Sequence, residues 1–458
     1  LSAHASAHAY RNVMITAATA GLAGLLFGYD TGVIAGALLQ ITPDFGLGSF
    51  ASGLVVGAVP IGAVVGAWIA SSNADRFGRR SLILTAGIIF IIGALVSALS
   101  PDTVILVVSR VVIGVAIGVA SAVAPVYISE VAPPDIRGRL VTFFQLAVTV
   151  GILVAYLVGL AFANADEGWR WMLGLGAVPA FALVIGIVRL PASPRWLLMM
   201  GREEDAREAL KRVRTEGADA IELEIKEIEA SMQTHEGSWR DLLAPAVKAA
   251  LLVGLGLAIL QQITGINTVI YYAPTIIQHT GIDSDSSAIL ASLGVGIINV
   301  IMTVVALRLL DRAGRRTLLL VGVSGIAASL FMLGCAFMSG MPETLSSIVA
   351  IVSLMLFVSS FAISLGPIFW LLNAEIYPLS VRSKAASAGT MTNWFFNFLV
   401  SLTFLPLVDL LSQTGAFWFY GVIGLLTLWF CWRFVPETKG RSLEQINDIF
   451  ETRARARR

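Results

Sequence analysis

The sequence predicts an all-α membrane protein: twelve transmembrane helices in two six-helix repeats, with a cytoplasmic helical insert between them. Three observations carry this. The chain is apolar, with 57% hydrophobic and 13% charged residues and a mean hydropathy of +0.82, where a soluble protein carries roughly a quarter charged residues. Its apolar residues gather in blocks near the roughly 20 residues that a bilayer crossing needs. Charged motifs that follow the second, fourth and sixth blocks recur in the same order after the eighth, tenth and twelfth. A transmembrane barrel is excluded, because its strands would alternate over about ten residues.

The blocks lie near 13–41, 50–73, 81–99, 103–128, 139–162 and 169–190, then 248–279, 286–310, 317–338, 345–374, 384–410 and 414–435. Residues 1–12 read as a disordered leader, and the apolar run after them is too long for a cleaved signal segment. Residues 13–190 form the first bundle and 248–436 the second. Between them, 191–247 carries the amphipathic stretches "GREEDAREALKRVR" and "DAIELEIKEIEASM", whose periodicity predicts a cytoplasmic helical linker. Residues 437–458 form a tail.

Charge placement orients the chain. Arg76, Arg79, Arg80, Arg137, Arg139, Arg308, Arg312, Arg315, Arg316, Arg382 and Lys384 fall in or beside the even-to-odd connections. The opposite connections, such as "TPDFGLGS", "LSPDT" and "HTGIDSDSS", carry no Lys or Arg, and "NADEGWR" carries Arg170 alone. The positive-inside rule then makes both termini cytoplasmic. Short external loops suggest a bacterial inner membrane. Cys335 and Cys431 each fall within a span, which suits apolar packing better than a disulfide or metal site.

The repeat is specific. "ADRFGRR" (74–80) answers "LDRAGRR" (310–316), "SEVAPPDIRG" (129–138) answers "AEIYPLSVRS" (374–383), and "LPASPR" (190–195) answers "VPETKGR" (435–441). Two parallel six-helix repeats with a site at their interface form a transporter architecture. Topogenic charge alone explains the arginines but not the carboxylates beside them. We expect Asp75, Arg76, Arg79, Arg80, Glu130, Arg137 and Arg195 of the first half, with Asp311, Arg312, Arg315, Arg316, Glu375, Arg382 and Glu437 of the second, to form ion-pair clusters at the cytoplasmic mouth. Such clusters would hold the halves together in one state and break in the other.

With these motifs the chain resembles the sugar porter family of the major facilitator superfamily. The resemblance rests on "GYDTGVIAG" (28–36), "DRFGRR", the run from Arg110 to Gly138, "QQITGIN" (261–267), "DRAGRR", "GPIFWLLNAEIYP" (366–378) and "PETKG" (436–440). It implies the major facilitator fold and transport of a monosaccharide by alternating access. Two departures stand out: Ser71 replaces the glycine four residues before Asp75, and "PASPR" places Ala192 where the family has glutamate.

Asp30 lies within the first span. A carboxylate there costs a few kcal/mol by insertion scales, so it needs a partner or a function. Counting 1.5 Å per residue from the external ends puts Asp30 roughly 16 Å deep and Arg110 of the fourth span roughly 11 Å deep. Their pairing is either a fixed structural bridge or a proton carrier whose ionisation changes with conformation, since arginine and desolvation push the carboxyl in opposite directions. The resemblance favours the carrier: proton-coupled members have Asp at this position, and passive glucose facilitators have Asn. Some proton-coupled relatives add a second carboxylate in the sixth span; here that stretch, "LGAVPA", offers Gly176.

A sugar site needs neutral donors and acceptors with aromatic surfaces in an apolar cleft. At the family's ligand positions the spans supply Gln145, Gln261, Gln262, Asn267, Tyr271, Asn299, Trp370, Asn393 and Trp394. Gly265 interrupts the seventh span beside this cluster, and Gly366 with Pro367 loosens the tenth. Amides also glue helices together; the grouping of Gln261, Gln262 and Asn267 around a glycine favours substrate, whereas Asn299 alone is balanced between the two. Ile152 stands where the xylose–proton symporter has glutamine, which tilts the expected substrate toward a hexose such as glucose or galactose.

The expected function is proton-coupled hexose symport by a monomer embedded in the bilayer, with no cofactor, no metal and no nucleic acid. A passive facilitator and a pentose or polyol symporter are the alternatives. An enzyme is disfavoured because the spans hold amides and aromatics, with no nucleophile–base pair or metal-ligand cluster.

Overall fold

A computed structural model describes residues 2–133, 137–214, 218–232, 238–282, 284–378, 380–439 and 445. The first half contains α1 (Ser2–Asp44), α2 (Ser49–Phe77), α3 (Arg79–Ala98), α4 (Thr103–Val131) and α5 (Arg137–Phe162). Its sixth span is broken into α6 (Gly168–Gly174) and α7 (Ala177–Arg189). The linker holds α8 (Pro194–Met199), α9 (Glu203–Val213), α10 (Ala218–Met232) and a 3-10 turn, Trp239–Leu243. In the second half the seventh span is α11 (Pro245–Ile263) plus α12 (Ile266–Gln278), followed by α13 (Asp285–Ala313) and α14 (Arg315–Ala336). The tenth is α15 (Glu343–Ala362) plus α16 (Leu365–Glu375). The last two spans run through one assigned helix, α17 (Arg382–Phe434), which turns at the non-helical Ser412 (φ 62°).

The start of α1 corrects the expectation of a disordered leader. Residues 2–12 continue the helix of the first span, and Ala3, Ala5, Ala7 and Ala9 favour that state intrinsically.

Glycine sets the distance between the spans of the first half. Gly24, Gly28 and Gly32 recur every fourth residue along one face of α1, against Phe144, Val148 and Ile152 of α5. A Cβ on Gly28 would stand 1.8 Å from the Val148 carbonyl oxygen. Gly62 and Gly66 of α2 interlock with Gly114 and Gly118 of α4 in the same way, each within 2.1–2.3 Å of an opposing carbonyl if given a Cβ. Small residues at four-residue spacing let membrane helices approach where no hydrophobic driving force operates between them. Gly28→Ala is therefore expected to separate α1 from α5. The cost should exceed the roughly 1–3 kcal/mol of ordinary overpacking and be visible as a lowered melting temperature of the purified protein.

The halves meet away from the arginine-rich turns. Gly53 near the start of α2 lies against Leu402 of α17, and Ile289 near the start of α13 packs by Gly36 and Gly159. The Tyr156 hydroxyl in α5 donates to the Ile270 carbonyl of α12 at 2.9 Å. These contacts close the end opposite the basic turns. The linker helices carry a small core of their own, from Leu197, Leu198, Ala206, Leu210, Ile221 and Ile225. Buried Arg214 ties that unit to the first half: it grips Glu224 at 2.6 and 2.8 Å and donates to the Val131 carbonyl at the end of α4 at 2.7 Å.

Candidate functional site

A cavity lies between the halves, about 860 Å³ when the open space at its mouth is counted. The break in the seventh span shapes it. Gly265 adopts φ 90°, a left-handed conformation that side chains disfavour, and starts α12 on a new line after α11. Gln261 and Gln262 close one helix segment and Asn267 opens the next, so the three amides converge. Gln262 Nε2 donates to Asn393 Oδ1 at 2.9 Å, and Asn267 Nδ2 donates to Gln262 Oε1 at 2.6 Å. Asn393 Nδ2 donates to Gln261 Oε1 at 2.5 Å, and Gln261 Nε2 to the Leu365 carbonyl at 2.8 Å. That carbonyl lies at the second helix break, between α15 and α16. Pro367 sits in the first turn of α16, where a missing amide hydrogen is tolerated.

Gln145, Gln261, Gln262, Asn267, Asn299, Trp370, Asn393 and Trp394 all line this space. Tyr271 does not. Its hydroxyl meets Asn397, with oxygen and nitrogen at 3.5 and 3.4 Å, and Asn397 lines the cavity in its place. Sequence reasoning passed over Asn397, although it lies one turn beyond Asn393, and over Thr149, one turn beyond Gln145. The aromatic walls come from both halves: Phe27 and Trp394 hold their rings 5.0 Å apart. The indole nitrogen of Trp394 is buried without a protein acceptor among the described residues. The lining continues along α13 through Thr303, Ala306 and Leu307, toward the basic turns.

Asp30 stands directly behind this wall, between residues of the lining stretch that holds Phe27 and Thr31. Its Oδ2 is 3.6 Å from Arg110 Nη2, and the two side chains are 6% and 1% exposed. Arg110 is fixed separately, since its Nε donates to the Val55 carbonyl at 2.9 Å. Nη1 is buried with no hydrogen-bond partner among the described residues. The glycine contacts between α2 and α4 bring that carbonyl within reach. The pair is thus close but not locked: one carboxylate oxygen at ion-pair distance, and a guanidinium anchored by a neighbouring backbone.

The charged turns pair within each half. Arg79 meets Asp75 at 2.9 Å and Glu130 at 3.1 Å, while Arg76 lies over the Phe77 ring. In the second half Arg315 meets Glu375 at 3.7 Å. Arg80 donates to the Ile187 and Val188 carbonyls at 3.1 and 2.5 Å, and Arg316 to the Trp432 carbonyl at 2.6 Å. Arg382 closes on the Tyr377 carbonyl at 3.0 Å, and the Arg312 carbonyl accepts from Lys439. Arg195 is exposed. The side chains of Arg137 and Asp311 lie outside the described residues. In this structure the clusters form inside each half, because each glutamate ends a span that packs beside its own half's turn.

A cleft between two parallel repeats, with broken helices presenting amides at mid-depth, defines a secondary transporter. Comparison with known proteins places it further. The family model described as "Sugar (and other) transporter" matches residues 16–450. The chain is 42% identical to a D-xylose transporter of Levilactobacillus brevis over 426 residues, 93% of each chain. It is 40% identical over 432 residues to the galactose-proton symporter of Escherichia coli, covering 93% of this chain and 92% of that one. Among solved structures, the proton:xylose symporter XylE bound to 6-bromo-6-deoxy-D-glucose superposes with a TM-score of 0.79 at 32% identity, over 96% of this chain and 99% of XylE. The chain belongs to the sugar porter family of the major facilitator superfamily. It is a multi-pass cell-membrane transporter, not an enzyme.

Proposed function

We propose that the protein is a proton-coupled monosaccharide symporter that takes a hexose, works by alternating access and has both termini in the cytoplasm. The observation that carries the proposal is the buried Asp30–Arg110 pair set against the amide-lined cavity. A carboxylate within the membrane marks a proton or ion path by default, and here it adjoins the wall that a sugar would touch. Protonation of Asp30 weakens its hold on Arg110 and biases which way the halves tilt; sugar in the cavity completes the closure. The similarity to the galactose-proton and xylose-proton symporters supports the same reading. Ile152 on the cavity wall supports a hexose over a pentose, although an apolar contact of this kind discriminates by only about 1–3 kcal/mol. The paired turns at Arg79 and Arg315 act as the cytoplasmic gate, exchanging partners as the halves close on that side. The basic turns support the reading that this face is the one inside the cell.

Uptake of labelled glucose, galactose and xylose into proteoliposomes tests this directly. An inward proton gradient is expected to concentrate a hexose above equilibrium, and an uncoupler to return it to equilibrium. Equal uptake with and without the gradient would make the protein a passive facilitator. Concentration of xylose alone would shift the substrate to a pentose.

A further inference from the structure

Three consecutive residues of α1 each face a different helix of the first half. Gly28 lies against the Val148 carbonyl of α5, and Asp30 stands 3.6 Å from Arg110 of α4. Between them the buried Tyr29 hydroxyl donates to the Met172 carbonyl of α6 at 2.7 Å. Successive side chains point about 100° apart around a helix, so these contacts fix the rotation of α1 from three sides.

The acceptor is free because the sixth span is broken. In an unbroken helix the Met172 carbonyl would take the amide of Gly176, four residues on. Pro179 has no amide hydrogen, and its ring crowds the carbonyl four residues before it, that of Leu175. The chain tightens there: Gly176 donates to the Leu173 carbonyl at 3.2 Å and Val178 to the Leu175 carbonyl at 3.0 Å. Met172 is left for Tyr29. A buried carbonyl without a donor is costly, so the hydroxyl and the break hold each other. The Tyr29 ring packs into the same place, since a Cβ on Gly176 would stand 3.2 Å from its Cε1.

We infer that Tyr29 is a positioning residue for proton coupling: its bond to the break in the sixth span sets the rotation of α1 and so holds the Asp30 carboxylate at Arg110. The inference rests on Asp30 carrying the proton. A carboxylate about 5–6 Å from the helix axis moves about 1 Å for roughly 10° of rotation. Arg110 does not follow, because the Val55 carbonyl holds its Nε. Arg110 of α4 is the charged group that faces Asp30. The hydroxyls of Tyr29 on the same helix and Tyr271 of α12 are the other titratable groups beside it. Among the described residues α5, α6 and α7 set none against it.

Tyr29→Phe removes the hydroxyl and keeps the ring. The test is initial uptake by the full chain in proteoliposomes over a series of external pH values, with labelled glucose, galactose or xylose, whichever the native chain transports. The midpoint of the profile is expected to move up by at least about half a pH unit, roughly threefold in proton affinity. The sign follows because a carboxylate drawn away from arginine takes its proton more readily. Tyr29 is not on the cavity wall, so the half-saturating sugar concentration for exchange at equal pH should stay within about twofold. Tyr127→Phe is the control. That hydroxyl donates to the Pro191 carbonyl at 2.7 Å within the same half, and its loss should lower the melting temperature comparably while leaving the midpoint in place. If Tyr29→Phe does not fold, Gly176→Ala presses on the Tyr29 ring and is expected to move the midpoint instead. A native chain whose uptake ignores pH overturns the proton-coupled reading and this inference with it. A native chain that responds to pH, with a Tyr29→Phe variant that keeps its midpoint or a Tyr127→Phe variant that moves it equally, overturns this inference alone.

Discussion

Asp30→Asn is expected to abolish concentrative sugar uptake while leaving exchange of sugar down its own gradient. Asparagine keeps the shape and hydrogen-bonding capacity of the side chain but carries no titratable proton, so coupling ends while the cavity stays built. For one proton per sugar, a gradient of two pH units supplies about 2.7 kcal/mol, or about 100-fold accumulation at the limit. The native chain should approach that order and the variant should stop at a ratio of about 1. A second effect separates this residue from an ordinary lining group. Arg110 is 1% exposed and held by the Val55 carbonyl, so it cannot leave when its counter-charge is removed. A buried charge stripped of its partner costs about 3–5 kcal/mol, and the variant should melt well below the native chain. Gradient-driven accumulation that survives in the variant would make the pair a structural bridge only.

Much of this site is legible in the sequence because its signals are local or periodic. Twelve apolar blocks and a carboxylate eleven residues inside one of them need no tertiary knowledge, and depth counting alone pairs Asp30 with Arg110. Gln261, Gln262 and Asn267 are close in sequence, so their convergence required only that Gly265 bend the chain. The misses depend on which way a side chain faces once helices pack. Tyr271 lies one turn beyond Asn267, yet its hydroxyl meets Asn397 from across the bundle. The charged turns are a different case: sequence shows that opposite charges are near one mouth, but conformation decides whether they pair within a half or between halves. The glycines of α1 at positions 24, 28, 32 and 36 were readable as a four-residue period. They were overshadowed by the aspartate among them, although they hold α1 against α5 and so set where that aspartate stands.

Gln262→Ala distinguishes a substrate ligand from helix glue. Gln262 is the hub of the amide cluster: it donates to Asn393 and accepts from Asn267, and its side chain is buried at the cavity wall. A site built to hydrogen-bond hydroxyls loses strongly when its polar groups are left unpaired, at about 1–3 kcal/mol for each buried group. Loss of one or two such contacts to a sugar should raise the half-saturating concentration roughly tenfold to a hundredfold. Turnover at saturating sugar should change less, because the Asp30–Arg110 pair and the charged turns are untouched. If the amide only fastens α11 to α17, the melting temperature falls and the surviving protein binds sugar normally. Sugar binding by calorimetry and unfolding measured on the same preparation give both quantities. A large loss of affinity with a small loss of stability assigns the amide to the substrate, and the reverse assigns it to the fold. Asn299 provides the comparison within the same cavity: it lines the wall outside this hydrogen-bonded cluster. Asn299→Ala should therefore cost less affinity than Gln262→Ala if convergence of amides, rather than mere presence at the wall, recognises the sugar.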